Sequence, residues 1–229
     1  MPTRKWPQIG VHSKYRLKSK KTMIEGICSL RNTIGLQFVA AALILLTTQV
    51  KAGDLIDKYT PAVWKNSAGE SLNYRHRAPA SVEEGKKYPL LLFLHGAGGR
   101  GDDNRGELTD AGAIQALEKA GVSGRFNSYV IAGQVPSGKM WVDVDWTTTS
   151  HKMPPISKSM ELMFEALDAF VANPENQIDH DRIYVMGLSM GGYGTWDAIQ
   201  RRPDFFAAAV PICGGADNRL ASSFADLPI

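Results

Sequence analysis

Ser189 stands between two glycines in Gly187-Leu188-Ser189-Met190-Gly191, after the apolar run Ile183-Tyr184-Val185-Met186 and ahead of a helix-compatible stretch from Gly192 to Arg202. A serine hydroxyl is a weak nucleophile until a base takes its proton and fixed dipoles hold the oxyanion that forms. A sharp strand-to-helix turn serves the second need, because it presents the hydroxyl at its tip and starts a helix whose first amides face the reacting centre. Such a turn is sterically tight, so the residues two before and two after the serine must be small, and Gly187 and Gly191 are.

A second amide source lies upstream. Tyr88-Pro89-Leu90-Leu91-Leu92-Phe93-Leu94 reads as a fully buried strand that ends in His95-Gly96-Ala97-Gly98-Gly99. The expected oxyanion donors are the amides of Met190 and Ala97, with Gly98 as the alternative to Ala97. His95 has two readings, a base for Ser189 or a brace for its own loop, and its place in the loop motif favours the brace.

With these residues in view, the chain resembles a known family. The stretches Phe93 to Asn104, Gln134-Val135-Pro136 with Trp141-Val142-Asp143, and Arg182 to Trp196 are similar to secreted bacterial α/β-hydrolases of the phospholipase/carboxylesterase-like, or "predicted peptidase", group and to feruloyl and acetyl-xylan esterases. The resemblance covers about residues 55 to 229. It implies an α/β-hydrolase fold, a mostly parallel sheet with helices on both faces, and a catalytic Ser, Asp, His triad in that chain order. It also places the triad Asp and His after Ile229, so the expectation is a domain lacking the last strands and helix, with Ser189 present and its partners absent.

Other residues could stand in for those partners only if the fold brought them to Ser189. His180 precedes the strand that Ser189 follows, which separates the two by about 20 Å or more at 3.3 Å per residue. His151 follows the preceding strand and shares the rim of Ser189, as a base or, more in keeping with its loop, a substrate-cleft residue. His76 falls in the N-terminal strand region, and His12 in a segment expected to be removed. Asp217 follows the run Phe206 to Ile212 and could serve as an acid, but has no histidine to orient. The loop Lys139 to Trp146 holds Trp141 and Trp146 beside acids, and its tryptophans either pack the loop or grip an aromatic or sugar portion of a substrate. His95, Trp141 and His151 are therefore the substrate-binding candidates.

The elements that must position these groups alternate. Residues 53 to 78 suggest a first strand or hairpin, including a half-exposed antiparallel edge at Ser71 to Arg77. Strands are expected at Pro89–Leu94, Tyr129–Ala132, Arg182–Met186 and Phe206–Ile212. Helices are expected at Ala111–Ala120, Ser157–Ala172 and Gly192–Arg202. In Ser157–Ala172 the apolar residues fall on one stripe, so Met160 and Met163 are core packing rather than ligands. Strand and helix in alternation imply a parallel sheet covered on both faces, with ligands bound at the carboxyl ends of the strands.

Composition bounds the rest. The 229 residues, 44% of them hydrophobic, suit one domain with a sizeable core. Of the 26 basic and 23 acidic residues, nine basic and one acidic precede Gly53, which leaves 17 against 22, a net −5, for the remainder. That balance excludes a nucleic-acid footprint. The basic leader and the apolar run Leu36 to Leu46, followed by Val50-Lys51-Ala52, read as a secretory signal over residues 1–52 cut after Ala52, leaving the hydrolase domain at 53–229. The alternative is an anchor retained through residues 34–48, and Met23 competes with Met1 as the start. Cleavage would remove Cys28 and leave Cys213 alone, with no intramolecular disulfide and a core thiol as the expectation. Asp102-Asp103-Asn104 lacks the spacing of a calcium loop, and no His/Cys cluster suggests zinc. The sequence thus points to an exported serine hydrolase without metal or cofactor. Its substrate would be a small-molecule or polysaccharide-linked ester, with the membrane met only through the export signal. A non-catalytic ligand-binding remnant and a serine peptidase are the rivals.

Overall fold

The computed structural model describes residues 55–119 and 127–229. The basic leader, the apolar run, the cleavage site, His12 and Cys28 lie outside the described residues.

Six strands form one sheet in the order β1-β2-β4-β3-β5-β6. They are β1 (Thr60–Lys65), β2 (Ser71–Arg77), β3 (Tyr88–Leu94), β4 (Tyr129–Gln134), β5 (Ile178–Leu188) and β6 (Ala208–Ile212). The pairs β3–β4, β3–β5 and β5–β6 are parallel, whereas β1–β2 and β2–β4 are antiparallel. The edge expected at Ser71–Arg77 is thus corrected. That segment is an interior strand of a hairpin, and β1 takes the edge, because β2 bonds β4 with its other side.

The central strands bury both faces, and their alternation sorts the core into two layers. Leu90, Leu92 and Leu94 of β3 join Tyr129 and Ile131 of β4 under the helices α2 (Lys158–Ala172) and α3 (Met190–Arg201). Phe93, Val130 and Ala132 face the other way, against Leu55, Tyr59, Leu108 and Ile114, the last in α1 (Ala113–Lys119). Helices therefore cover both faces, as the alternation requires.

Helix α2 starts at Ser157, whose Oγ accepts from the Met160 amide at 3.1 Å and donates to the Trp141 carbonyl at 2.7 Å. This cap fixes the helix and ties it to the loop after β4. Met160, Met163 and Leu167 are fully buried, each contributing about 1.5–3 kcal/mol of apolar burial. Among the described residues no helix is long and apolar enough to cross a membrane.

The chain runs from β3 to β4 on one side of β3 and returns to β5 on the other. The carboxyl ends of β3 and β5 thus meet where the winding reverses, the usual crevice for ligands in such sheets.

Candidate active site

Leu94 at the end of β3 pairs with Gly187 near the end of β5, so the loop after one strand lies directly against the turn after the other. Ser189 has φ 55° and ψ −115°, a conformation costly for a residue with a side chain, and its side chain is exposed. Two bonds hold the turn: the Ser189 amide donates to the Ile212 carbonyl at 2.8 Å, and its carbonyl accepts from the Tyr193 amide at 3.1 Å. A Cβ on Gly191 would collide with the Leu94 carbonyl and lie 2.8 Å from the His95 carbonyl. A Cβ on Gly187 would strike the Gly191 backbone. The glycines are thus required by close backbone approach, as the sequence spacing anticipated.

Met190 opens α3, and Ala97 opens the single turn Ala97–Gly99. The first amides of such elements have no partner within the element. Met190 is buried, Ala97 half-buried and Gly98 exposed, and the Leu188 carbonyl would lie 3.3 Å from a Cβ on Gly96. Both amide sources therefore border the same notch as Ser189. Among the described residues the Ser189 hydroxyl has no hydrogen-bond partner.

Two expected substrate contacts are corrected. His95 is fully buried, and its Nε2 accepts from the Val135 amide at 3.0 Å. Its Nδ1 therefore carries the proton and donates to the Gly96 carbonyl at 2.5 Å. Both nitrogens are used in bracing the loop, so the imidazole is neither base nor substrate contact. Trp141 is also fully buried, with its indole N–H donated to the His95 carbonyl at 3.1 Å and its ring edge-on to the imidazole at 5.5 Å. It supports the loop from beneath and offers substrate no face.

The remaining candidates are placed as follows. His180 lies near the amino end of β5 and Ser189 just past its carboxyl end. His76 packs on Phe170, where burial lowers its pKa. His151 stands beside the Tyr193 ring at 5.8 Å. Asp217 is buried, with the Arg219 guanidinium and the Met153 amide holding its carboxyl well below the usual range, so it anchors a loop. Cys213, expected in the core, is exposed with φ 55°. The apolar run before it suggested burial on both faces, yet β6 leaves Val210 50% and Ile212 36% exposed.

Gln134, which opens the motif Gln134-Val135-Pro136, gains its role only from the fold. Its side chain is buried; its Nε2 donates to the Gly99 carbonyl at 3.2 Å and Asp103 Oδ1 at 2.7 Å, while its Oε1 accepts from the Asn104 amide at 2.7 Å. The end of β4 thus grips the loop that carries Ala97. The signal in the sequence was a polar residue closing an apolar strand.

Glu107, in the turn Gly106–Thr109, is a second buried polar residue that the sequence did not single out. Its carboxylate lies 4.0 Å from Arg75 Nε and has no hydrogen-bond partner among the described residues. Burial pushes its pKa up to about 7, and burial pushes that of His95 down to about 4. The two act on stability with opposite sign. The fold keeps His95 neutral, so its contribution is complete above about pH 6.5 and declines as pH falls towards 4. The fold favours protonated Glu107, so its contribution is complete below about pH 4.5 and declines as pH rises through 7. Glu107→Gln removes the second decline. Denaturant unfolding from pH 4 to 8 is expected to show the variant gaining on the wild type as pH rises, by on the order of 2–3 kcal/mol at pH 8. A pH-independent difference would refute this burial effect.

Residues 156–229 match the prolyl oligopeptidase family. A thermostable esterase of solved structure is 36% identical, with a TM-score of 0.66, over 76% of this chain and 46% of its own. An S-formylglutathione hydrolase from Staphylococcus aureus is 19% identical (TM-score 0.46; 67% of this chain, 56% of its own), and a ferulic acid esterase 21% identical (TM-score 0.46; 66% and 58%). No curated protein matches the chain. The protein has the α/β-hydrolase fold, with the serine elbow at its switch point. The chain spans less than half the length of the thermostable esterase it resembles.

Proposed function

We propose that the protein is an exported serine hydrolase of carboxyl esters. Ser189 Oγ attacks the ester carbonyl carbon, and the amides of Met190 and Ala97, or Gly98 in its place, hold the oxyanion. Collapse expels the alcohol and leaves an acyl-serine for water to cleave. The observation that carries this reading is the strained, exposed Ser189 bordered by two sets of uncommitted amides. The 36% identity to an esterase favours an ester over a peptide bond. The proton of Ser189 needs a base, and among the described residues no histidine is bonded to it. Export rests on the basic leader and apolar run alone.

The test is labelling with a fluorophosphonate probe, beside hydrolysis of p-nitrophenyl acetate and of a peptide p-nitroanilide. The 229-residue chain is expected to label at Ser189, to lose labelling in Ser189→Ala, and to cleave the ester ahead of the anilide. A folded sample that does not label, or a variant that labels equally, would leave a ligand-binding protein as the answer. Cleavage of the anilide ahead of the ester would make it a peptidase.

A further inference from the structure

The loop after β3 offers two amides to the notch, and each belongs to a peptide unit whose carbonyl is already hydrogen-bonded. The carbonyl of the Gly96–Ala97 unit accepts from His95 Nδ1 at 2.5 Å and from the Gly99 amide at 3.1 Å, both neutral donors. The carbonyl of the Ala97–Gly98 unit accepts from Arg100 Nε at 3.0 Å. Amide resonance joins the two ends of a peptide unit, so a donor on the oxygen draws charge from the nitrogen and strengthens the N–H as a donor in turn. A bond from a charged donor is roughly twice as strong as one from a neutral donor, which singles out the Gly98 amide.

The half-buried guanidinium keeps its charge for the loop. Its Nη1 donates to the Lys139 carbonyl at 3.4 Å, and among the described residues no carboxylate pairs with it. A negative charge bears on the same loop. Asp110 Oδ2 lies 2.7 Å from the place of a Cβ on Gly96, a place 3.3 Å from the Leu188 carbonyl, and the carboxylate also packs against Gly98. It has no hydrogen-bond partner among the described residues. An oxyanion formed beside Ser189 would therefore meet an uncompensated carboxylate, and a cation bonded to the same loop offsets it.

We propose that Arg100 is a positioning residue of the oxyanion hole: through the Ala97 carbonyl it fixes and polarises the Gly98 amide, which makes Gly98, rather than Ala97, the second donor beside Met190. This assignment rests on Ser189 being the nucleophile. Its effect falls on species with negative charge at the reacting centre, because a neutral ligand gains little from a polarised amide.

The experiment titrates the full 229-residue chain with phenylboronic acid. The Ser189 oxygen adds to the trigonal boron, its proton passes to the buffer, and the adduct is a tetrahedral boronate anion visible by boron NMR. The same titration of Ser189→Ala measures binding without that bond. Arg100→Gln is expected to weaken the adduct about tenfold or more and to leave binding in the Ser189→Ala background within about twofold. Arg100→Lys keeps the charge and a donor, and should lose less than about threefold. Asp110→Asn removes the opposing charge and should tighten the adduct. An adduct of wild-type affinity in Arg100→Gln, an equal fall in both backgrounds, an Arg100→Lys no better than Arg100→Gln, or an adduct no tighter in Asp110→Asn would each overturn the assignment and leave Ser189 as the nucleophile. Absence of tetrahedral boron in the wild type would instead sink the hydrolase reading, and the role of Arg100 with it.

Discussion

Gly191→Ala is expected to lower stability by more than about 3 kcal/mol, beyond the usual range for overpacking, and to abolish fluorophosphonate labelling of whatever remains folded. The added methyl group would meet the Leu94 carbonyl and lie 2.8 Å from the His95 carbonyl. Those are main-chain atoms at the end of the central strand β3, so no rotamer change relieves the contact. Either α3 moves off the sheet, taking the Met190 amide and Ser189 with it, or the loop after β3 moves, taking Ala97. For a domain of this size the melting temperature should fall by at least about 6–12 °C in a circular-dichroism melt. Gly138→Ala is the control. Gly138 has φ +75° with nothing within 4 Å of an added Cβ, so only its backbone preference is lost, roughly 1–2 kcal/mol. If Gly191→Ala melts no lower than Gly138→Ala, the close packing of elbow on strand is wrong.

Gln134→Leu should be nearly as damaging, for a different reason. Leucine fills a similar volume but leaves the Gly99 carbonyl and the Asn104 amide without their partner and frees Asp103. Stranded polar groups of this kind cost about 1–3 kcal/mol each when buried, so a loss of roughly 3 kcal/mol is expected. The effect should reach the site, because Gly99 closes the short turn that Ala97 opens. Labelling is therefore expected to slow by about tenfold or more, measured at a temperature where the variant is fully folded. Gln134→Glu supplies the informative contrast. It can still accept from the Asn104 amide, but it cannot donate to the Gly99 carbonyl and it places a second carboxylate against Asp103. It should therefore fail to rescue the labelling rate. The Gln134 hydrogen bond is also the main cause of the lowered Asp103 pKa, which should return towards the ordinary carboxylate value in Gln134→Leu. A variant with wild-type stability and labelling would show that β4 does not position the oxyanion loop.

The elements that could be read along the chain were those whose cause is local. Leu90 to Leu94 is apolar on both faces because a central parallel strand is covered twice, and the periodicity of Ser157 to Ala172 gave α2 to within a residue. The glycines around Ser189 announced the elbow, since only a missing Cβ permits that approach. Exposure, by contrast, depended on neighbours distant in sequence. Cys213 ends an apolar run like that of β3, but its strand has β5 on one side only among the described residues, so the same pattern ends in solvent. Trp141 and Trp146 share one loop and similar surroundings in sequence, yet one is sealed beneath His95 and the other stands open beside Tyr193.

The amino-acid sequence by itself determined the alternation of strands and helices, the position of Ser189 on its tight turn and the amides beside it, because sterics and periodicity act over a few residues. Tertiary structure alone decided which polar and aromatic groups serve the site. The Gln134 bond to Gly99 spans 35 residues and the Trp141 bond to His95 spans 46. Those partners meet only once sheet register has brought the carboxyl ends of β3, β4 and β5 to a common rim.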